Sequence, residues 1–292
     1  MSNYFFRICL CCFGLAFFAS ANSAQLVIII DDIGNNYKLG NAMVELDGPL
    51  TLAFLPHTPH AKSLALKAHQ QQKEIILHAP MQNSKSTPLG PGALTDNLSK
   101  EEFQQTLHQA IDSIPYIQGI NNHMGSALTQ NKQAMHWVME TLQDEQLYFI
   151  DSLTSPKSVA YQQAINFHLP ALRRHIFLDN DTSTEALTQQ WNKALKIAQK
   201  TGRAILIGHP YAESHAFLEK ELPKLAAKNI ELIPASQLLI QQAWQGFESN
   251  QQQTQHDANR YLLHNKLTPA EVDEIKNDGR LVSQAALARA QK

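Results

Sequence analysis

The chain has 292 residues, 43% of them hydrophobic, enough for one large globular domain or two modest ones. A formal net charge of -2 creates no general field towards nucleic acid or an anionic membrane, so no nucleic-acid partner is expected. Thirteen histidines, several at the ends of apolar runs, point towards metal binding or acid–base chemistry.

All three cysteines, Cys9, Cys11 and Cys12, precede the first predicted strand. Arg7 is followed by an apolar run from Ile8 to Phe18 and then by small residues through Ala24, the layout of a cleaved signal peptide. Cleavage after Ala21 fits the small-x-small rule best, and cleavage after Ala24, with the larger Asn22 three residues before the cut, is the close competitor. The boundary is set at Ala24, which makes residues 1–24 the signal peptide. The apolar run is short for a membrane span, with a retained anchor as the alternative. The mature chain then has no cysteine and no thiol chemistry. Export to the periplasm is the expectation.

Leu26 to Ile30 are five aliphatic residues, mostly β-branched, and read as a strand buried on both faces of a parallel sheet. Asp31, Asp32 and Gly34 close it. Side chains alternate along a strand, so the two carboxylates point different ways unless the backbone has begun to turn. A second strand spans Leu50–Pro56, a helix about His60–Gln72, and a third strand Glu74–Met81. Residues 83–99 form a Pro- and Gly-rich loop. Ser99 and Glu102 make a capping box for a helix running to about Ser113. A short strand and polar turn follow at Ile117–Ser126, then a helix over about 132–143 and a strand at Leu147–Asp151. Ile176–Asp179 reads as another strand, and a helix from Thr184 to Thr201 is stopped by Gly202. The strand Ala204–Pro210, a helix over about 216–227 with a kink at Pro223, and the strand Ile230–Ile233 complete the alternation. Repeated strand–helix alternation is the pattern of a parallel sheet or barrel. Residues 245–292 form a Gln-rich linker and C-terminal tail, read either as a docking segment for an envelope protein or as disordered.

The strand ends gather Asp31, Asp32, His78, His123, Asp151 and His209. Zinc above all accepts two imidazoles and a carboxylate while keeping a position open for water. A second carboxylate is then available as a base, and a remaining histidine as an acid for the leaving group.

Asp31-Asp32 after an aliphatic strand, Leu77-His78-Ala79-Pro80-Met81, Gly119-Ile120-Asn121-Asn122-His123-Met124-Gly125-Ser126, Phe149-Ile150-Asp151-Ser152 and Ile207-Gly208-His209-Pro210 resemble the divergent polysaccharide deacetylase family. This family is a remote branch of the NodB-type carbohydrate esterase superfamily, and the resemblance covers about residues 25–240. It implies an α/β fold, a distorted (β/α)7 barrel of mainly parallel strands over residues 25–244. It implies an exported metal-dependent hydrolase that removes an acyl group, acetyl above all, from a cell-envelope carbohydrate such as peptidoglycan. By the same resemblance Asp31 is the general base, Asp32 and His78 bind a divalent metal (zinc), and His209 is the general acid.

The chain departs from the parent pattern in two places. The parent superfamily carries a second histidine four residues along the third strand, where Gln82 stands here. His123, from the next strand end, is inferred as the replacement ligand. The parent's arginine motif on the fourth strand is missing, so the partner of Asp31 is left open. Asn121, Asn122 and Asp151 are read as substrate-binding residues or as supports behind the ligands. For Asp151 the alternative is a hydrogen bond to the backbone of the Ser152–Ser155 turn.

His57 and His60 read as surface-loop residues, and Phe54 and Tyr211 as core rather than sugar platforms. His168, His175 and Asp179 receive no role. Gln82 supports an alternative function, a catalytically weak or inactive glycan-binding or regulatory protein on the same fold. A phosphoesterase built on the paired carboxylates is disfavoured, because no basic phosphate clamp accompanies them.

Overall fold

The computed structural model describes residues 23–243 and residue 245. The expected signal peptide through residue 22 and the tail from residue 246 lie outside the described residues.

The strands are β1 (Ala24–Ile33), β2 (Thr51–Phe54), β3 (Glu74–Met81), β4 (Gly119–Met124), β5 (Tyr148–Asp151), β6 (Ala171–Arg173), β7 (Ile176–Phe177), β8 (Arg203–Gly208) and β9 (Ile230–Leu232). They form one parallel sheet in the order β6-β5-β4-β3-β2-β1-β8-β7, with β9 beside the start of β1. The sheet is curled. β6 and β7 occupy opposite edges of the order, yet only Arg174 and His175 separate them in the chain. Arg174 N–H donates to Asp151 O on one edge at 3.0 Å, and His175 N–H to Ile205 O on the other at 2.9 Å. One extended segment therefore serves both edges. Counting β6 and β7 as one stave, the wall has the seven staves expected of the distorted barrel.

Between strands run α1 (Tyr37–Glu45), α2 (Ala61–Gln70), α3 (Lys100–Ser113), α4 (Lys132–Asp144), α5 (Ala160–Asn166), α6 (Thr184–Thr201) and α7 (Ala212–Glu221). Local chemistry accounts for several of the ends. Ser99 and Glu102 form the reciprocal capping box of α3. Gly202, at φ 83°, ends α6 in the left-handed conformation that glycine adopts without penalty. α7 begins four residues before the expected Ala216 and ends at Glu221, where a 3-10 turn with Pro223 in its first turn takes over. α5 and β6 were not expected from the sequence. Both are short, and neither carries a sustained period.

Alternation along the strands gives the sheet two apolar faces. Leu26, Ile28, Ile30, Leu77 and Leu206 face the helices and belong to the larger core cluster. Val27, Ile29, Ala53, Ile76, Ile150, Ile205 and Ile207 face inwards, against Ile233, Ala235, Leu238 and Leu239. The last three lie on a helix over 235–243 that plugs the concave side. Burying each such aliphatic side chain contributes about 1.5–3 kcal/mol. The buried Glu74 carboxylate fixes the start of the plug: it accepts Ala235 N–H at 2.7 Å, Ser236 N–H at 3.0 Å and Thr51 Oγ1–H at 2.6 Å. A carboxylate there also complements the positive end of the helix dipole.

Candidate active site

The inward face changes from apolar to polar at the C-terminal ends of the strands. Val27 and Ile29 are followed at the same alternation by Asp31, Ile76 by His78, and Ile205 and Ile207 by His209. On β4 the corresponding residues are Asn121 and His123. Strand register sets them beside β3, with His78 opposite Asn121 and Pro80 opposite His123.

Strict alternation would turn Asp32 away from this face. Instead Asp32 sits at φ 58°, and the β1–β2 register shifts between Ile30 and Ile33. The local left-handed residue brings both carboxylates to His78: its Nε2 lies 3.2 Å from Asp32 Oδ1 and 3.7 Å from Asp31 Oδ2. A left-handed non-glycine residue costs about 1–2 kcal/mol, and such strain collects at functional sites. His57, Met124 and Leu153, at or just after the ends of β2, β4 and β5, are left-handed as well. Gly34, at φ 136°, completes the exit from β1; a Cβ there would meet Thr58 Oγ1 at 2.1 Å.

Three ligand-type atoms converge. His123 Nδ1 lies 2.8 Å from Asp32 Oδ1 and 3.1 Å from His78 Nε2. With the Asp32–His78 distance of 3.2 Å they form a small triangle. Ligand atoms about 2.0–2.1 Å from a tetrahedral zinc stand about 3.3 Å from one another, so the triangle fits with minor expansion. Asp32 Oδ1 is buried against the ring nitrogens of His123 and His78 and makes no well-aligned hydrogen bond to either, so a cation between the three atoms would satisfy it. His78 Nδ1 faces the Asn121 side-chain carbonyl at 2.6 Å, so Nδ1 carries the proton and Nε2 keeps its lone pair towards the triangle. This donor set fits a divalent cation. Burial works to raise the Asp32 pKa, but the imidazoles of His123 and His78 prevail and hold it far below the usual carboxylate range.

Asp31 is buried, and its Oδ1 accepts Asn121 Nδ2–H at 2.7 Å. Burial pushes its pKa up, against the opposing pull of His78 and His209. On the next strand His209 donates Nδ1–H to Asp179 Oδ1 at 2.8 Å. Asp179 Oδ2 also accepts His209 N–H at 2.6 Å and Ser214 Oγ–H at 2.7 Å. Burial opposes a charge on His209, but the Asp179 carboxylate, aided by Asp31 and Asp32, raises its pKa to about 9. An imidazolium with a free Nε2–H is a proton donor at neutral pH.

A cleft of about 270 Å³ opens on Asp32 and His123. Leu55, Pro56 and Pro80 line it from the strand ends, and Pro88 to Pro91 wall it from the long loop. A profile of divergent polysaccharide deacetylases matches residues 28–239, which hold the site and all of the sheet except the first four residues of β1.

The chain belongs to the divergent polysaccharide deacetylase family.

Its relatives include the uncharacterized protein YibQ of Escherichia coli K12, 33% identical over 225 residues, which span 77% of this chain and 70% of that one. An uncharacterized protein of Haemophilus influenzae is 34% identical over 223 residues, 76% of this chain and 79% of the relative. Among solved structures, an uncharacterized protein from Agrobacterium tumefaciens C58 superimposes with a TM-score of 0.71 at 21% identity, covering 76% of this chain and 91% of that one. That likeness is one of fold.

Several residues of this deacetylase-family chain fall elsewhere than their motifs imply. Gln82 turns to the loop: its Oε1 accepts Asp96 N–H at 2.8 Å, and its backbone oxygen accepts Ala127 and Leu128 N–H. Asp151 spends both oxygens on the segment after β5, accepting Leu153 N–H at 2.8 Å, Ser158 Oγ–H at 2.9 Å and Tyr161 N–H at 3.4 Å. The bond to Leu153 N–H is the one to the Ser152–Ser155 turn that the sequence offered beside a supporting role. Asn122 is buried, donates to Met124 O and accepts Ser152 N–H, bracing the end of β4 against the segment after β5. Phe54 is core, as expected, whereas Tyr211 is exposed beside His209.

Asp179 went unassigned, although Ile176-Phe177-Leu178-Asp179 repeats the apolar-run-then-Asp signal of β1. Arg174 was missed. Its Nε and Nη2 donate to the carbonyls of Ser152 and Leu153 at 2.6 and 2.8 Å, and its guanidinium lies 3.7 Å over the Phe177 ring.

Proposed function

We propose that the protein is an exported, metal-dependent hydrolase that removes an acyl group, acetyl above all, from a cell-envelope carbohydrate, with peptidoglycan as the first substrate to test. The observation that carries this reading is the meeting of a buried carboxylate and a charged imidazole, a base and an acid, at one ligand cluster. Asp31 stands beside the Asp32–His78–His123 triangle, and His209 rises from the neighbouring strand, where Gly208 pairs with Ile30.

A divalent cation held by Asp32, His78 and His123, zinc above all, would supply a Lewis acid for the acyl carbonyl and acidify water. Asp31 takes the proton of the attacking water. Its burial raises its basicity towards the operating pH, and Asn121 holds one of its oxygens in place. His209, kept charged by Asp179, gives its Nε2 proton to the nitrogen or oxygen that leaves on the sugar. Gln82 offers no argument for an inactive site, since a third ligand-type atom comes from His123. Export rests on the expected signal peptide of residues 1–24, whose last residue, Ala24, is also the first residue of β1.

The test is acetate release from N-acetylated glycan fragments by protein loaded with one equivalent of zinc, beside Asp31→Asn and His209→Ala. Each variant is expected to lose about 10²–10⁴-fold in rate. Background release by the wild type with zinc, cobalt and manganese, together with measurable glycan binding, would favour the glycan-binding alternative.

A further inference from the structure

Three planar side chains line up with His209. The Arg174 guanidinium lies 3.7 Å over the Phe177 ring, and Phe177 stacks on His209 at 6.0 Å between centroids and 27° between planes. Tyr211 follows on His209 at 5.7 Å and 35°. Arg174, Phe177 and His209 are at least half covered, but Tyr211 is 42% exposed. A single exposed aromatic residue is ordinary on a protein surface, so its exposure alone decides nothing.

Two further observations do. Tyr211 occupies the N-cap of α7 and makes no side-chain cap hydrogen bond. Serine, aspartate or asparagine there would stabilise the helix, so helix stability does not account for a tyrosine. Among the described residues the other exposed tyrosines with ring partners are committed elsewhere: Tyr116 stacks on His69, and Tyr37 stands edge-on to His60.

Resting on the proposed deacylation, we infer that Tyr211 is a sugar-binding residue, the platform on which the pyranose ring carrying the acyl group stacks. The leaving nitrogen or oxygen stays on the sugar, and its proton donor must be within hydrogen-bond reach of it. The sugar ring is therefore confined to the surroundings of His209, and Tyr211 is the exposed ring there. The face of a pyranose presents C–H groups, weakly positive and apolar, which suit the negative face of an aromatic ring. The cleft at Asp32 and His123 is lined by neither His209 nor Tyr211, which leaves it to the acyl end of the substrate.

The experiment is calorimetric titration of the zinc-loaded full-length mature protein with tetra-N-acetylchitotetraose, for wild type, Tyr211→Ser, Tyr211→Phe and Tyr211→Trp. Tyr211→Ser supplies a helix cap while removing the ring, so its melting temperature is expected not to fall. Its affinity for the tetrasaccharide is expected to weaken about tenfold, with the Phe and Trp variants within about threefold of wild type. Wild-type affinity in Tyr211→Ser overturns the inference, and so does an equal loss in Tyr211→Phe, which would assign the effect to the hydroxyl. Absence of wild-type binding overturns it for this sugar class. If the wild type binds and Tyr211→Ser does not, but no acetate is released, the platform stands and the hydrolytic reading falls.

Discussion

A single amide, that of Asn121, ties the two chemistries of the site together. Its carbonyl oxygen meets His78 Nδ1 at 2.6 Å, while its Nδ2 donates to Asp31 Oδ1 at 2.7 Å. The imidazole of a ligand-type residue and the carboxylate of the base are thus oriented by the same side chain. Asn121→Ala is expected to weaken zinc binding about 10–100-fold, the usual effect of removing the group that orients a ligating histidine. It also leaves buried polar atoms unpaired, at about 1–3 kcal/mol of stability. Competition with a zinc chelator and urea unfolding measure the two losses separately. Unchanged zinc affinity would remove His78 from the ligand set or Asn121 from its support.

Gln82 stands where the parent pattern has its second histidine, and the third ligand-type atom beside Asp32 and His78 comes from His123. Protein purified without chelator should carry about one zinc per chain, a tetrahedral site with three protein ligands. His78→Ala and His123→Ala are expected to lose it, and Gln82→Ala to keep it. Elemental analysis of the three variants decides the assignment, and full zinc in His123→Ala would refute it.

The His209–Asp179 pair makes stability depend on pH in metal-free protein. The folded chain raises the His209 pKa from the usual 6.5 to about 9, so folding favours the protonated form. The contribution is full below pH 6.5 and is lost as the pH rises through about 9. Its ceiling is about 3 kcal/mol, reduced by the partial exposure of the ring. Denaturant unfolding of the chelator-treated protein should show this decline, and Asp179→Asn should flatten it. A parallel decline in both proteins would rule out the pair as its source.

Asp32 combines a left-handed backbone with a ligand oxygen, and two substitutions distinguish these properties. Asn tolerates that conformation better than Ala does. Without metal, Asp32→Asn is expected to be about 1 kcal/mol more stable than Asp32→Ala. Both should lose zinc. Calorimetric melting with and without zinc reads both effects, and equal metal-free stabilities would mean that the backbone at this position is not strained.

Much of the fold is legible in the sequence because its signals are local. The mostly β-branched aliphatic run Leu26–Ile30 reads as a strand buried on both faces, Ser99 with Glu102 can cap a helix without help, and Gly202 stops α6 by its own conformational freedom. Polar residues at the strand ends, Asp31, His78, His123 and His209, announce a site by position within their own segments. Tertiary structure alone decided how these residues meet. The β3–β4 register set His123 against the neighbourhood of His78, and a shift between β1 and β2 with a left-handed Asp32 overrode the alternation that would have parted the carboxylates. Asp179 acquired its place only because β7 pairs with β8, and Gln82 turned to the loop because Asp96 N–H was there to meet it. Periodicity belongs to one segment. Register, bulges and hydrogen-bond partners belong to pairs of segments distant in the chain, and only the folded molecule brings those pairs together.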